Sequence, residues 1–181
     1  MGVDPALFSE MAKEGRDGMN ILDVEILKKL RVYNDGYGKT AWTIESNGNA
    51  LYAKGQRLTW RGVNKFIIAC DRKFSLAYII VFFDSQGRDD DILQMGYHFL
   101  YIDGKTYPLK EPPGEKPSYT NGMINGTFFA TKEMIQKMAL AQSIGIYFQS
   151  SAHAPFFFGF DGMDMAGGRD KIIGYLEYCK N

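Results

Sequence analysis

The residue best suited to chemistry is His153, which lies among serines and acidic residues. In a hydrolase, His153 would act as the base, and Asp161 or Asp164 would orient its imidazole ring. The nearby Ser151 would then be the nucleophile. The same residue types are ordinary in a loop that precedes a proline, and loop structure is the interpretation that we favour. The hydrolase is kept as an alternative.

The two cysteines are the second candidate pair. Cys70 ends the apolar segment KFIIAC, and Cys179 lies in a C-terminal segment with helical periodicity. Three states are open to them: inert buried thiols, a reactive thiol pair, or a disulfide. We favour the disulfide, which would close a long loop and would imply an oxidising compartment.

Other common catalytic and metal-binding patterns do not occur in the sequence. It holds no glycine-rich phosphate-binding loop, no H-E-x-x-H motif and no G-x-S-x-G turn. A structural zinc site needs about four cysteine or histidine ligands at short spacing. Here Cys70, His98, His153 and Cys179 stand far apart. We therefore predict neither a metal nor a cofactor, and we predict that the protein is not an enzyme.

Charge and hydropathy limit the partners. The chain of 181 residues has 21 basic and 21 acidic side chains, spread evenly along it. Nucleic acid and anionic membranes are therefore not expected partners. No apolar run approaches the roughly 20 residues of a membrane-spanning helix, so no membrane insertion is predicted. The first residues do not match a secretory signal peptide, so the compartment has to be inferred from the cysteines.

Most of the chain after its N-terminal segment has the texture of strands and turns. We predict strands over AWTIES, ALYAKG, KFIIACD, FSLAYIIVFF, GYHFLYI, KTYPL, MINGTFF, IGIYFQ and PFFFGF. Asp103-Gly104 suits a tight hairpin turn, because both of its central residues adopt positive φ. The run FSLAYIIVFF predicts a central strand covered on both faces. In GYHFLYI, alternation places His98 on the face opposite Tyr97 and Phe99.

Two helices accompany the later strands. Thr131 is a candidate N-cap for a helix near 131–141. A second helix, near 164–179, would close the chain. Before it, Phe156–Phe160 predict a buried strand and Asp161-Gly162 predict a turn.

Two polar segments predict loops, and the whole pattern predicts the fold class. Asp89-Asp90-Asp91 is expected to be a solvated loop, and the proline-rich segment 111–118 an exposed connection. We predict a single domain over 1–181, with residues 1–34 as helical decoration and 35–181 as a β-rich body. The fold class is mostly β with peripheral helices (α+β), either an antiparallel β-sandwich or a partly closed barrel, with the C-terminal helix packed on the sheet.

Aromatic side chains are the candidate binding residues. The chain has 13 phenylalanines and 11 tyrosines, more of which we expect in the core than on the surface. Any exposed excess is expected between Tyr147 and Phe160, at Tyr147, Phe156, Phe157 and Phe158. A small-ligand carrier that uses these rings inside a barrel is an alternative function.

The order of the later segments resembles a known family. A strand that ends in cysteine (KFIIAC), an apolar strand (AYIIVFF), a Thr-capped helix that leads to a strand (TKEMIQKMALAQSIGIYF) and a closing segment (FFFGFDGMDMAGGRDKIIGYLEYC) together resemble the bacterial invasion-associated locus B proteins. Periplasmic accessory proteins of type VI secretion have a similar architecture. The resemblance covers roughly residues 42–181.

The resemblance implies an exported β-sandwich of the cell envelope that binds another protein and has no catalytic residues. Cys70 and Cys179 would be the disulfide that holds the fold together. Small periplasmic immunity proteins, which neutralise a toxin, would have the same pattern. We therefore expect a periplasmic or secreted protein-binding domain, with a cytoplasmic location as the alternative.

Overall fold

The computed structural model describes residues 38–48, 50–59, 62–71 and 76–180, together with the helical residues Ala6, Ser9 and Ile26. Apart from those three positions, the helices predicted within residues 1–34 lie outside the described residues. The contacts divide the chain into two compact units, Met1–Tyr37 and Gly38–Asn181. The strands and helices described below belong to the second unit.

The second unit consists of antiparallel strands with three described helices. In chain order, the elements are β1 (Ala41–Asn47), β2 (Ala50–Thr59), β3 (Gly62–Asp71), β4 (Leu76–Asp84), α1 (Asp89–Leu93), β5 (Tyr97–Ile102), β6 (Lys105–Pro108), β7 (Ser118–Thr120), β8 (Met123–Ala130), α2 (Lys132–Leu140), β9 (Ser143–Gln149), β10 (Phe158–Asp164) and α3 (Arg169–Lys180). Sheet A has the order β1-β2-β3-β4-β8-β7, and sheet B has the order β10-β9-β5-β6. The predicted mostly-β fold with peripheral helices is confirmed, and the described strands form no closed barrel.

The core lies between the two sheets, because one face of each strand is apolar. Burial alternates along β4 and β8, as expected for strands with one inward face. Phe83 and Phe128 of sheet A contact Phe148 of sheet B edge to face, with ring centroids 5.2 and 5.8 Å apart. Such pairs stabilise beyond the area that they bury. The ring contacts join the sheets into a sandwich-like arrangement.

The strand β4 is central in sheet A but is not covered on both faces. It pairs with β3 on one side and β8 on the other. Ile79, Val81 and Phe83 are buried on its inner face, whereas Ile80 and Phe82 on the other face are only half-buried. The prediction from the long apolar run that β4 is covered on both faces is therefore wrong.

Local signals predicted one turn and one helix cap correctly. Asp103 and Gly104 have φ of 44° and 85° and connect β5 to β6. The Thr131 side chain accepts a hydrogen bond from the Met134 backbone N–H at 3.1 Å and caps α2. Asp103 also accepts from the backbone N–H groups of Gln142 and Ser143, which positions the start of β9.

Two predictions about loops and turns are wrong, and a third is confirmed. Asp89-Asp90-Asp91 is the first turn of α1, where carboxylates are favoured by the helix dipole. The proline-rich segment 111–118 is the exposed connection that was predicted: residues 111–117 lie outside the strands and helices, and Ser118 begins β7, a short edge strand that pairs with β8. Asp161-Gly162 is no turn before a helix, because β10 continues through it as a bulge and ends at Asp164. These outcomes depend on distant partners that local composition does not reveal.

Candidate functional site

The residues of the predicted hydrolase set occupy different places. His153 and Ser151 are exposed in the connection between β9 and β10, while Asp161 and Asp164 lie on β10. Asp164 is paired with Ser143 at the far end of that strand, about 20 Å from its start at the usual rise per residue. Its carboxylate accepts a hydrogen bond from the Ala166 backbone N–H at 2.7 Å. Within the described residues, no hydrogen bond or ion pair joins His153 to Ser151, Asp161 or Asp164.

Asp161 instead faces the predicted binding residue Tyr147. Burial raises the pKa of the Tyr147 phenol, and the negative charge of Asp161 raises that pKa further. Tyr147 therefore stays protonated at neutral pH beside the Asp161 carboxylate.

Stacked rings cover the outer face of sheet B. The Tyr147 ring stacks on Phe157 with centroids 3.6 Å apart, and on Tyr101 with centroids 5.2 Å apart. Phe99 lies opposite Tyr147 in the β5–β9 ladder, so its side chain is on the same face. The sequence predicted Tyr147 and Phe157 as surface candidates and missed Phe99 and Tyr101. The alternation in GYHFLYI was the signal that placed these two on one face.

Two exposed aromatic residues extend this face. Phe156 is 58% exposed and Tyr97 is 47% exposed, both high values for large apolar side chains. Tyr97 lies opposite Gln149 at the edge of the β5–β9 ladder. The Gln149 side-chain amide donates to the backbone carbonyls of Ala154 and Phe156, at 3.1 and 3.4 Å. These contacts place both exposed rings at the same end of sheet B.

We call the group formed by Tyr97, Phe99, Tyr101, Tyr147 and Phe157 on the outer face, together with the exposed Phe156 at the same end of sheet B, the aromatic surface. Phe158, the remaining predicted binding residue, is not part of it. Its ring is half-buried against the core, and the Arg88 guanidinium lies over it at 5.1 Å from the centroid. The prediction that Phe156–Phe160 form a buried strand is therefore wrong at its start, because β10 begins at Phe158.

His98 lies on the inner face of the same end of sheet B. It is 6% exposed, and its ring centroid is 4.4 Å from that of Phe148 and 5.0 Å from that of Phe128. Burial lowers the pKa of His98 to about 4, so the imidazole is neutral at neutral pH. Nδ1 is 3.3 Å from the Glu111 Oε1 atom, while Nε2 is buried without a hydrogen-bond partner. The buried His98 ring therefore has a polar neighbour at Nδ1 but no hydrogen-bond partner at Nε2. From the sequence, strand alternation predicted only that His98 lies on the face opposite Tyr97.

His98 and Glu111 also line a cleft of about 510 Å³ at this end of the sandwich. Lys110 and Lys116 contribute two ammonium groups to its wall. In the described parts of the chain, no three histidine, cysteine, aspartate or glutamate side chains cluster as a metal site would require. None of the described helices combines the length and the apolarity that crossing a membrane requires.

The cysteines form the favoured disulfide. Cys70 at the end of β3 is bonded to Cys179 in α3, with the two Cα atoms 6.1 Å apart. This pairing overturns the inert-thiol and reactive-pair alternatives. Tyr175 reinforces the junction: its hydroxyl accepts from the Cys70 backbone N–H at 2.7 Å and donates to the Leu51 carbonyl at 2.8 Å. Burial raises the pKa of Tyr175 to about 12, so the hydroxyl keeps its proton.

Comparison of the chain with known protein families, curated proteins and solved structures finds no match. The likeness to the invasion-associated locus B family therefore remains a prediction.

Proposed function

We propose that this protein is a non-catalytic binding domain of the bacterial cell envelope, an accessory or toxin-neutralising protein that recognises another protein through the aromatic surface. The observation that carries the proposal is the exposure of Phe156 and Tyr97 beside a stack of ordered rings. Large aromatic side chains dominate the binding energy of many protein interfaces.

The geometry of the stack favours a protein over a sugar or a nucleobase. Tyr147 stacks on both Tyr101 and Phe157, so its ring is already occupied, and each of the two neighbouring rings has one face covered. A planar ligand needs a free ring face on which to stack. The edges of the stacked rings, together with Phe156 and Tyr97, suit the apolar and polar side chains of a protein surface.

The disulfide supports a location in an oxidising compartment. Structural disulfides persist outside the cytosol and are rare within it, where thiols are kept reduced. The bond between Cys70 and Cys179 is therefore in keeping with a periplasmic or secreted protein. The same compartment is what the family resemblance implies.

The test is affinity capture with the immobilised full chain, disulfide intact, from an envelope extract of the source organism. Three proteins are compared: wild type, the double variant Tyr97→Ser/Phe156→Ser, and Leu140→Ser. Leu140 is a matched control, because it is 66% exposed and lies at the C-terminal end of α2, away from the aromatic surface. We expect one protein to be retained by wild type and by Leu140→Ser, and to be lost with the double variant.

Two results would contradict the proposal. One is a wild-type chain that retains no protein from the envelope extract. The other is a partner that the double variant retains as well as wild type does, since recognition would then not involve the aromatic surface.

A further inference from the structure

A cavity of about 300 Å³ lies at the Cys70 end of sheet A, bounded by that sheet and by the helices α2 and α3. The side chains that line it are mainly apolar and include Leu76, Ile135, Leu176 and the Cys70–Cys179 disulfide. Ligand sites are concave and mostly apolar, with a few polar groups that orient the ligand. The volume is at the lower end of the range for such sites, which suits a small ligand.

The cavity exists because two small residues face each other in the sheet. Ala77 and Ala130 are direct partners in the β4–β8 ladder, and both line the cavity. One step further along the same inner face, Ile79 and Phe128 are fully buried and fill the equivalent space. Protein interiors are normally close-packed, so a gap of this size at the end of a filled core layer is a distinct feature.

One charged side chain, Lys132, lines the cavity among the described residues. Lys132 is the first residue of α2, where the helix dipole adds positive potential. The adjacent Glu133 does not neutralise it, because the Glu133 carboxylate is paired with Lys137 at 2.7 Å. Asp71, the acidic residue next to Cys70, is not one of the residues that line the cavity.

We propose that this cavity binds a medium-chain fatty acid. The aliphatic chain would lie among Leu76, Ile135 and Leu176, and the carboxylate would pair with the Lys132 ammonium group. Apolar side chains with the Lys132 ammonium group at their edge match an amphiphile that has a single negative group. The site lies on sheet A and α2 and is independent of the aromatic surface, so it adds ligand binding to the proposed protein recognition.

The test is isothermal titration calorimetry on the full, oxidised chain with two probes, sodium octanoate and 1-octanol. Wild type is expected to bind both, and octanoate more tightly. Lys132→Met is expected to weaken octanoate binding by about tenfold, the cost of a lost charge-assisted contact, and to leave 1-octanol binding unchanged. Lys110→Met is the matched control, since Lys110 is an exposed lysine that does not line this cavity, and should bind both probes as wild type does.

A second variant tests the cavity rather than the charge. Ala77→Leu is expected to fill the space and to abolish binding of both probes, with the melting temperature showing whether the chain is folded. If Ala77→Leu unfolds, the Lys132→Met variant alone tests the proposal, because Lys132 is exposed and its replacement leaves the core intact. The proposal is overturned if wild type does not bind octanoate, or if Lys132→Met and Lys110→Met bind octanoate equally. Neither result would affect the capture of a partner by the aromatic surface.

Discussion

The two ends of β10 differ in how they are held. At Asp161–Asp164, which we call the clamped end, side chains of sheet A bind the strand. Arg57 of β2 donates to the carbonyls of Asp161 and Gly162, both at 2.6 Å, and the Trp42 indole donates to the Asp164 carbonyl at 2.9 Å. At the open end, which is the first residue of β10 with the two residues before it (Phe156–Phe158), the described side-chain hydrogen bonds to the backbone come only from Gln149 of the neighbouring strand.

The clamped end has little freedom to vary. Arg57 is 4% exposed, and a buried guanidinium is tolerated only where acceptors replace water. The bulge supplies those acceptors, since Gly162 has φ of 58° and turns its carbonyl towards Arg57. Trp42 is equally confined, because a Cβ atom at Gly55 or Gly168 would lie within 2.8 Å of its indole ring.

The difference suggests a division of roles along one strand. Hydrogen bonds from Arg57 and Trp42, with the nearby disulfide, position β10 and α3 against sheet A. The open end can then expose Phe156 without a large cost to the fold, because few contacts depend on its ring. Recognition residues commonly lie at such loop ends on a rigid scaffold.

The largest expected effect is the loss of the disulfide. For the double variant Cys70→Ala/Cys179→Ala, we expect the free energy of unfolding in urea to fall by about 4 kcal/mol, because the bond constrains a loop that spans most of the β-rich unit. Partner capture by the fraction that remains folded should be unchanged, since the aromatic surface is distant from α3. A loss below about 1 kcal/mol would mean that Tyr175 and the core hold α3 without the bond.

Replacement of the buried arginine should come next. Arg57→Leu leaves the carbonyls of Asp161 and Gly162 without their donors, and each buried unsatisfied carbonyl costs about 1–3 kcal/mol. We therefore expect a loss of about 3 kcal/mol in urea unfolding. Arg88→Met is the control and should change stability by about 0.5 kcal/mol or less, because Arg88 is exposed. If Arg57→Leu and Arg88→Met lowered the free energy of unfolding equally, the clamped end and the open end would not differ in how strongly they are held.

Acid should weaken the fold through His98. The folded protein holds His98 neutral with a pKa of about 4, whereas the unfolded chain takes up a proton near pH 6.5. Stability contributed by the neutral ring is therefore complete above pH 6.5 and is lost as the pH falls to about 4, by about 3 kcal/mol in total. Urea unfolding across this range should show the slope in wild type.

Two variants identify the group behind this slope. His98→Phe should flatten the dependence between pH 6.5 and 4, because it replaces the titrating ring with an apolar ring among Phe128 and Phe148. His153→Asn should keep the wild-type slope, since His153 is exposed in the β9–β10 connection. A slope that survives in His98→Phe would assign the acid sensitivity to carboxylates instead.

The smallest effect on stability is expected at the open end. Phe156→Ser should change the free energy of unfolding by about 0.5 kcal/mol or less, because the Phe156 side chain is mostly exposed. Binding of the captured partner, measured by calorimetry, should nevertheless weaken by about 2 kcal/mol or more, as for an aromatic anchor. A large loss of stability without a loss of binding would reverse the roles assigned to the two ends.

The elements that were predicted correctly depend on neighbours in the sequence. Strand alternation, the Asp103-Gly104 turn and the Thr131 cap each involve residues within a few positions of one another. The disulfide was favoured because each cysteine lies on an apolar element, and the structure confirms the pair. Of the candidate site, the exposure of Phe156 followed from the excess of aromatic residues between the last two strands.

The remaining features involve partners that are distant in the sequence. The bulge at Asp161-Gly162 looks like a turn until Arg57, about a hundred residues earlier, binds its carbonyls. His98 and Phe99 differ in face by alternation alone, but only the packing of sheet A on sheet B shows that the His98 face is the buried one.

The sequence by itself therefore determined the β-rich class, most strand positions and the C-terminal helix, because these depend on periodicity and on local backbone preference. Only the tertiary structure decided which faces are buried, how the two sheets are ordered, and which end of β10 is clamped or open. The physical reason is that burial and long-range hydrogen bonding are set by residues that meet only when the sheets pack. Arg57 illustrates this: on its own strand it looks like a surface residue, and in the folded protein it is a buried donor to β10.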